Sequence, residues 1–237
     1  MTEYMLMVLE DEAVHEALPA RAVEELLEAR ATFEGELRRA GVLKASGLLR
    51  PSKGGRRVRR NGGELEDRPG PFAEEGRALG GYLWVEAPSV EEAAKLAAAC
   101  PTLATDEVDV RPVMKGTLPR DTGDRPGKIF ACAVLGSAPT EAGWVEIMDR
   151  IDAETKEGFP REALLGGVRL QPPRTGRRVA TRDDRRAAFD GPFLESKEVI
   201  GGLFLLRLLH LDDAVRWASA TRFVVHGALE IRERWRT

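Results

Sequence analysis

The chain is 237 residues long, 43% hydrophobic and 32% charged, with a net charge of −3. That is the balance of an ordinary globular protein with enough apolar residues for a core. The negative charge argues against a general nucleic-acid binder, and no apolar run reaches the ~18 residues that a membrane helix needs.

The first residues, Met1 to Met5, have no basic stretch ahead of their apolar run, which argues against a signal peptide. Cys100 and Cys132 sit in apolar surroundings without metal-ligand spacing and read as buried thiols in a reducing cytoplasm. Arginines gather twice, at Arg56, Arg57, Arg59 and Arg60 and at Arg174, Arg177, Arg178, Arg182, Arg185 and Arg186.

Residues 4–9 form a continuous apolar run that predicts a buried strand, and 11–18 read as a polar connection. Pro19 suits the first turn of a helix whose apolar face is Val23, Leu26, Leu27, Phe33, Leu37 and Ala40, closed by Gly41. Residues 42–50 read as a strand, 52–55 as a turn, and 56–60 as the second arm of a hairpin, with a polar loop over 61–75. Residues 80–86 predict a strand. Ser89 followed by Glu92 has the layout of a capping box for a short helix ended by Pro101, and 107–114 alternate as a last strand.

Residues 115–127 lack periodicity and read as a linker, after which the order repeats. Strands are expected at 128–135, 164–171, 177–181, 199–209 and 224–233. Helices are expected on the face of Trp144, Ile147, Met148 and Ile151 and at 212–219, with a polar loop over 183–198. The repetition can be counted. Leu49 and Leu170, Pro51 and Pro172, Arg56-Arg57-Val58 and Arg177-Arg178-Val179, Pro71-Phe72 and Pro192-Phe193, and Gly80-Gly81 and Gly201-Gly202 are each 121 residues apart. The organisation read from this is a first domain at 1–114, a linker at 115–127 and a second domain at 128–237. Each half follows a βαββαβ-type order with an extra hairpin strand. The fold class expected is α+β, two ferredoxin-like halves packed sheet to sheet as a pseudo-dimeric α-β barrel, because each open sheet needs its second face covered.

The second half carries Asp190-Gly191-Pro192-Phe193, then Glu195, Lys197 and Glu198; the first-half copy begins at Gly70 and has no Asp. Asp190, ahead of Gly-Pro, reads either as a turn cap or as an acid or base in a pocket. Glu74, Glu195 and Lys197 read as partners of the hairpin arginines, or as part of a ligand site with Arg57 and Arg178, whose planar forks suit a carboxylate or phosphate. His15, in the polar connection, and His210 and His226 have no metal-ligand spacing. No phosphate loop, nucleophile elbow or zinc pattern is present, so neither a cofactor nor a metal is implied.

The string Leu-Arg-Pro, Arg-Arg-Val, Asp-Gly-Pro-Phe-Leu-Glu-Ser-Lys-Glu and Gly-Gly, with the early strand Tyr4-Met5-Leu6-Met7-Val8, resembles the YCII-related or DGPF-domain family, over both halves. The resemblance implies a dimeric α-β barrel of ferredoxin-like halves. It also implies relatives that act as dehalogenating or lyase-like enzymes on small cyclic acids, with a His–Asp pair as their suggested centre, and a bacterial setting near extracytoplasmic-function sigma factors. The first helix of each half, within 20–40 and 143–158, contains no His. The expectation is therefore a protein binding a small anionic ligand or a protein partner in such a setting, as a monomeric pseudo-dimer or a homodimer. The alternative is a lyase-type enzyme using Asp190 as acid or base and Arg178 as anion anchor.

Overall fold

A computed structural model describes residues 1–72, 77–119, 125–136, 163–190 and 199–235. In chain order the elements are β1 (Thr2–Glu10), α1 (Glu12–Glu16), α2 (Ala20–Arg39), β2 (Leu43–Leu48), β3 (Arg56–Asn61), β4 (Glu64–Pro69), β5 (Ala78–Ala87), α3 (Val90–Ala99) and β6 (Glu107–Thr117). They continue as β7 (Lys128–Gly136), β8 (Leu164–Leu170), β9 (Arg177–Arg182), β10 (Arg185–Asp190), β11 (Val199–Leu208), α4 (Leu211–Ser219), α5 (Phe223–His226) and β12 (Ala228–Glu233). The fold is mixed α+β, dominated by antiparallel strands. The helix expected on the Trp144 face lies outside the described residues.

The chain forms two compact units, 1–48, 72–113 and 173–193 in one, and 49–71, 114–172 and 194–237 in the other. In the first unit the strand order is β2-β5-β1-β6-β9-β10, all neighbours antiparallel. Alternate residues of its strands, among them Tyr4, Leu6, Val8, Leu83, Val85, Val108 and Val110, meet Leu37 of α2 and Ala93, Ala94 and Ala97 of α3. Helices α2 and α3 form where the pattern predicts, whereas α1 lies in the stretch read as a polar connection and α5 in the first residues of the strand expected over 224–233. Ser89 Oγ accepts from the Glu92 N–H to start α3, and Gly41 takes a φ of 74° beyond the end of α2. In the second unit the order is β8-β11-β7-β12-β3-β4, again antiparallel throughout. Phe130, Cys132, Val134, Leu206, Leu229 and Ile231 pack there against Trp217 and Ala218 of α4 and Phe223 and Val224 of α5.

The structure corrects the predicted hairpins. The strand read over 42–50 pairs with β5, not with 56–60. Pro51 and the 3-10 turn Ser52–Gly54 lead the chain away from it. The true hairpin is β3–β4, turning at Gly62 and Gly63 with φ of 58° and 93°, the positive values that a two-residue hairpin turn needs. Its partner in the second half is β9–β10, turning at Asp183 and Asp184 with φ of 49° and 58°. Sequence periodicity hid β4 and β10 because neither has a buried face. β4 is exposed or half-buried along its length and is tied to β3 by the ion pairs Arg56–Asp67 and Arg59–Glu66. At β6, the strand runs on to Thr117, into the stretch read as linker.

Each hairpin joins the last strand of the other half of the sequence. β3 pairs with β12, setting Val58 opposite Leu229 and Arg57 opposite Glu230. β9 pairs with β6, setting Val179 opposite Val108 and Arg178 opposite Asp109. The two junctions share one register, since every partner in one lies 121 residues from its counterpart in the other. Val58, Leu229, Val179 and Val108 are all wholly buried, and burying each such side chain stabilises by about 1.5–3 kcal/mol.

Gly55 and Gly176 begin the lent strands at a close backbone approach. A Cβ there would lie 2.7 Å from the Ile231 carbonyl oxygen and 2.4 Å from that of Val110, respectively. Gly55→Ala and Gly176→Ala are each expected to cost about 1–3 kcal/mol by overpacking. Gly54→Ala, with nothing within 4 Å of the added methyl, is expected to be neutral or to stabilise by up to about 1 kcal/mol. Thermal or urea denaturation of the three variants checks this.

Candidate functional site

Arg178 and Arg57 hold the exchanged hairpins. Arg178 donates through Nε and Nη2 to the two oxygens of Asp109, at 2.6 and 3.0 Å, and pairs through Nη1 with Glu107 at 3.2 Å. Arg57 donates to Glu230 at 2.8 Å, and Glu230 also accepts from Arg232 at 2.9 Å. Arg232 and its counterpart Arg111 are almost fully buried on the two receiving strands. Burial pushes Arg111 down to about 10; the charge of Asp109 pulls it up and that of Arg178 adds to the push. The planar forks foreseen in the sequence are thus present, and the partners found for them among the described residues are carboxylates of the receiving strands.

Asp190, the candidate acid or base, ends β10 with its side chain 81% exposed and ion-paired with Arg177 at 2.9 Å. At the repeat spacing its place in the first half is taken by Pro69. Glu74, Glu195 and Lys197 lie outside the described residues.

A different group of side chains converges in the first unit. β1 ends at Glu10 and β6 starts at Glu107, and their pairing brings Leu9 opposite Glu107. Glu10 and Asp106, which flank that pair, are therefore neighbours. The polar connection read over 11–18 contains α1, started by Asp11, whose carboxylate accepts from the Val14 N–H at 3.3 Å. α1 presents His15 to Asp106, with Nε2 2.9 and 3.0 Å from the two carboxylate oxygens. Asp106 is wholly buried and accepts the Leu103 N–H at 2.8 Å, so its orientation is fixed. Buried Arg30 of α2 pairs with Glu10 at 2.8 Å, lies 4.0 Å from Asp106 and donates to the Pro101 carbonyl at 3.1 Å.

Burial lowers the His15 pKa, but the hydrogen bond to Asp106 and the charges of Glu10 and Asp106 outweigh it, against Arg30, and the net result is a raised value. Glu10, His15 and Asp106 place three ligand-capable atoms within 4.8 Å of one another. The two carboxylates already face the guanidinium of Arg30 and the imidazole of His15, and a divalent ion would stand against that buried guanidinium. This geometry is that of a hydrogen-bonded, ion-paired quartet. Arg30 also borders a cleft walled by Val8, Phe33, Leu48 and Leu83, with Glu34 at its edge. Its cavity volume is about 10 Å³, the room of a single water. Cys100 lines the same cleft, its thiol pushed up to about 11 by burial.

The model of the YCII-related domain matches residues 2–117 and 146–236. The chain belongs to that family, in two tandem copies. Among curated proteins none matches. Among solved structures, the chain is similar to a candidate chlorite dismutase, at 9% identity and a TM-score of 0.39, covering 99% of this chain and 96% of that one. It is also similar to an anthrone oxidase-like protein, at 9% identity and a TM-score of 0.39, covering 99% and 92%. At this level of likeness neither protein's chemistry transfers to the chain.

Removing one partner of a largely buried ion pair leaves the other charge uncompensated. Asp109→Ala, which removes the two-pronged grip on Arg178 and leaves it beside Arg111 with the single pair to Glu107, is expected to cost about 2–4 kcal/mol. Arg177→Ala, which breaks pairs with the exposed Glu91 and Asp190, is expected to cost less than about 1 kcal/mol. Equal losses in chemical denaturation would contradict the assignment of Arg178 to the junction.

Proposed function

We propose that the protein binds a small polar organic molecule in its first unit, beside His15 and Asp106, and that His15 exchanges a proton with it. The observation that carries this reading is the Asp106 carboxylate, wholly buried and fixed by the Leu103 N–H, with both oxygens on His15 Nε2. A buried carboxylate that orients an imidazole and steadies its charged form is the usual support of a general acid or base. The His15 side chain keeps 18% of its surface exposed, so the ring is reachable. With Nε2–H donated to Asp106, Nδ1 is the nitrogen left for a ligand.

Asp190 and Arg178 take no part in this reading. One is exposed and the other grips Asp109, so the lyase-type alternative through that pair gains no support from their placement. In the same proposal the two tandem copies act as a pseudo-dimer within one chain, which the reciprocal lending of hairpins supports. A regulatory setting near sigma factors rests on the family resemblance alone.

A thermal-shift screen of small acids, amides and alcohols identifies a ligand, and calorimetry of that ligand in buffers of different ionisation heat counts the protons exchanged. The wild type and Asp190→Asn are expected to exchange protons near neutral pH, and His15→Asn to exchange none. The same proton count in His15→Asn, or its loss in Asp190→Asn, would overturn the reading. The raised His15 pKa also has a sign. Its folded-state value lies above the ordinary 6.5, so its stabilisation is complete below that pH and is lost as pH rises through the folded value. The melting temperature of the wild type is expected to exceed that of His15→Asn most at acidic pH, with the gap closing under alkaline conditions.

A further inference from the structure

Strand β10, lent to the first unit by the second half of the sequence, carries a cation that the quartet does not use. Arg186 stands opposite Thr181 of β9, on a strand packed against α3. Its Nε and Nη2 are both buried and have no hydrogen-bond partner among the described residues. These two nitrogens form one edge of the guanidinium, and their parallel N–H bonds match the two oxygens of a carboxylate. The same hairpin shows such an edge filled, where Arg178 uses its own Nε and Nη2 to grip both oxygens of Asp109.

The helix that β10 packs against, α3, ends at Cys100, which is its C-terminal cap. Burial lowers the Arg186 pKa, with Cys100 and the charge of Asp106 acting against that, so both lie within electrostatic reach. Cys100 lines the cleft that Arg30 borders, and the charges of Arg30 and Arg186 both act on its thiol. Asp106 is committed to His15 and the Leu103 N–H and makes no hydrogen bond to the open edge. Two shielded N–H groups left unmet are costly for a fold to keep, and a ligand oxygen pair removes that cost.

We propose that Arg186 is the anchor of the first unit for a small organic carboxylate, held side-on by Nε and Nη2. This names the ligand class for the site proposed above and rests on that reading for its location. A monoanionic carboxylate suits the place better than phosphate. The charge of Asp106 already reaches Arg186, and a dianion would set a second negative charge against it.

Titration calorimetry with acetate, pyruvate and inorganic phosphate tests the proposal on the full chain. The wild type is expected to bind pyruvate or acetate saturably at one site per chain, and phosphate at least threefold more weakly. Arg186→Gln is expected to lose at least tenfold in affinity. Arg186→Lys, which keeps the charge but not the edge, is expected to lose at least threefold. Binding of no probe by the wild type at millimolar concentration, undiminished carboxylate binding by Arg186→Gln, or tighter binding of phosphate would each overturn it. A stability measurement covers the case of a variant that folds poorly. Without ligand, Arg186→Met is expected to melt at or above the wild-type temperature, because it removes two shielded, unmet N–H groups. A lower melting temperature would mean that the guanidinium has a structural partner and would also overturn the proposal. Carboxylate binding without proton exchange at His15 would leave this anchor standing while removing the proton-transfer reading.

Discussion

A guanidinium gripped by a carboxylate on the neighbouring strand marks each place where a hairpin joins a sheet. Arg57 meets Glu230 and Arg178 meets Asp109, each pair directly opposite in the strand register. Beside each pair a valine, Val58 or Val179, is wholly buried in the core of the unit that receives it. Apolar burial supplies the driving force, and the ion pair fixes the register. A slip by one residue would turn the valine outward and leave the acid and the arginine on opposite faces. Without the lent hairpin, β6 and β12 would each offer an unpaired edge.

The junction also determines what the first unit can bind. β9 and β10 reach it only through the exchange, and β10 brings Arg186 to the neighbourhood of Asp106 and Cys100. The site therefore draws on both halves of the sequence. Glu10, His15, Arg30 and Asp106 come from the first, and the open guanidinium edge comes from the second. The second unit receives β3 and β4 in the same register, but Arg186 has no counterpart there; at the repeat spacing its place falls to Leu65, which is exposed on β4. The two copies have thus kept a common junction while differing in the side chains around it.

The duplication was legible because identities recur at one spacing, from Leu49 and Leu170 to Arg111 and Arg232. So were the long buried strands and the caps of α2 and α3, which follow from local periodicity and turn chemistry. The exchange was not. Glu64–Pro69 and Arg185–Asp190 show no apolar alternation, since their faces are largely solvated, and the turn at Gly62 and Gly63 was the one local sign of the first hairpin. The site was hidden for a different reason. His15 and Asp106 lie 91 residues apart, and only the register of β1 against β6 brings them together. Arg186 is one of six arginines in its cluster, distinguished by which face of β10 it occupies. The Asp-Gly-Pro-Phe motif drew attention to Asp190 and marked the family, but Asp190 itself stands in solvent beside Arg177.

Native-state hydrogen exchange, read over peptides covering Arg56–Pro69 and Ala228–Glu233, tests the exchanged junction most directly. If β3 is a strand of the second unit, the amides of β3 and β12 are protected together and open in one cooperative step close to global unfolding. Rapid exchange throughout Arg56–Pro69, as for a surface loop, with β12 still protected, would contradict the account.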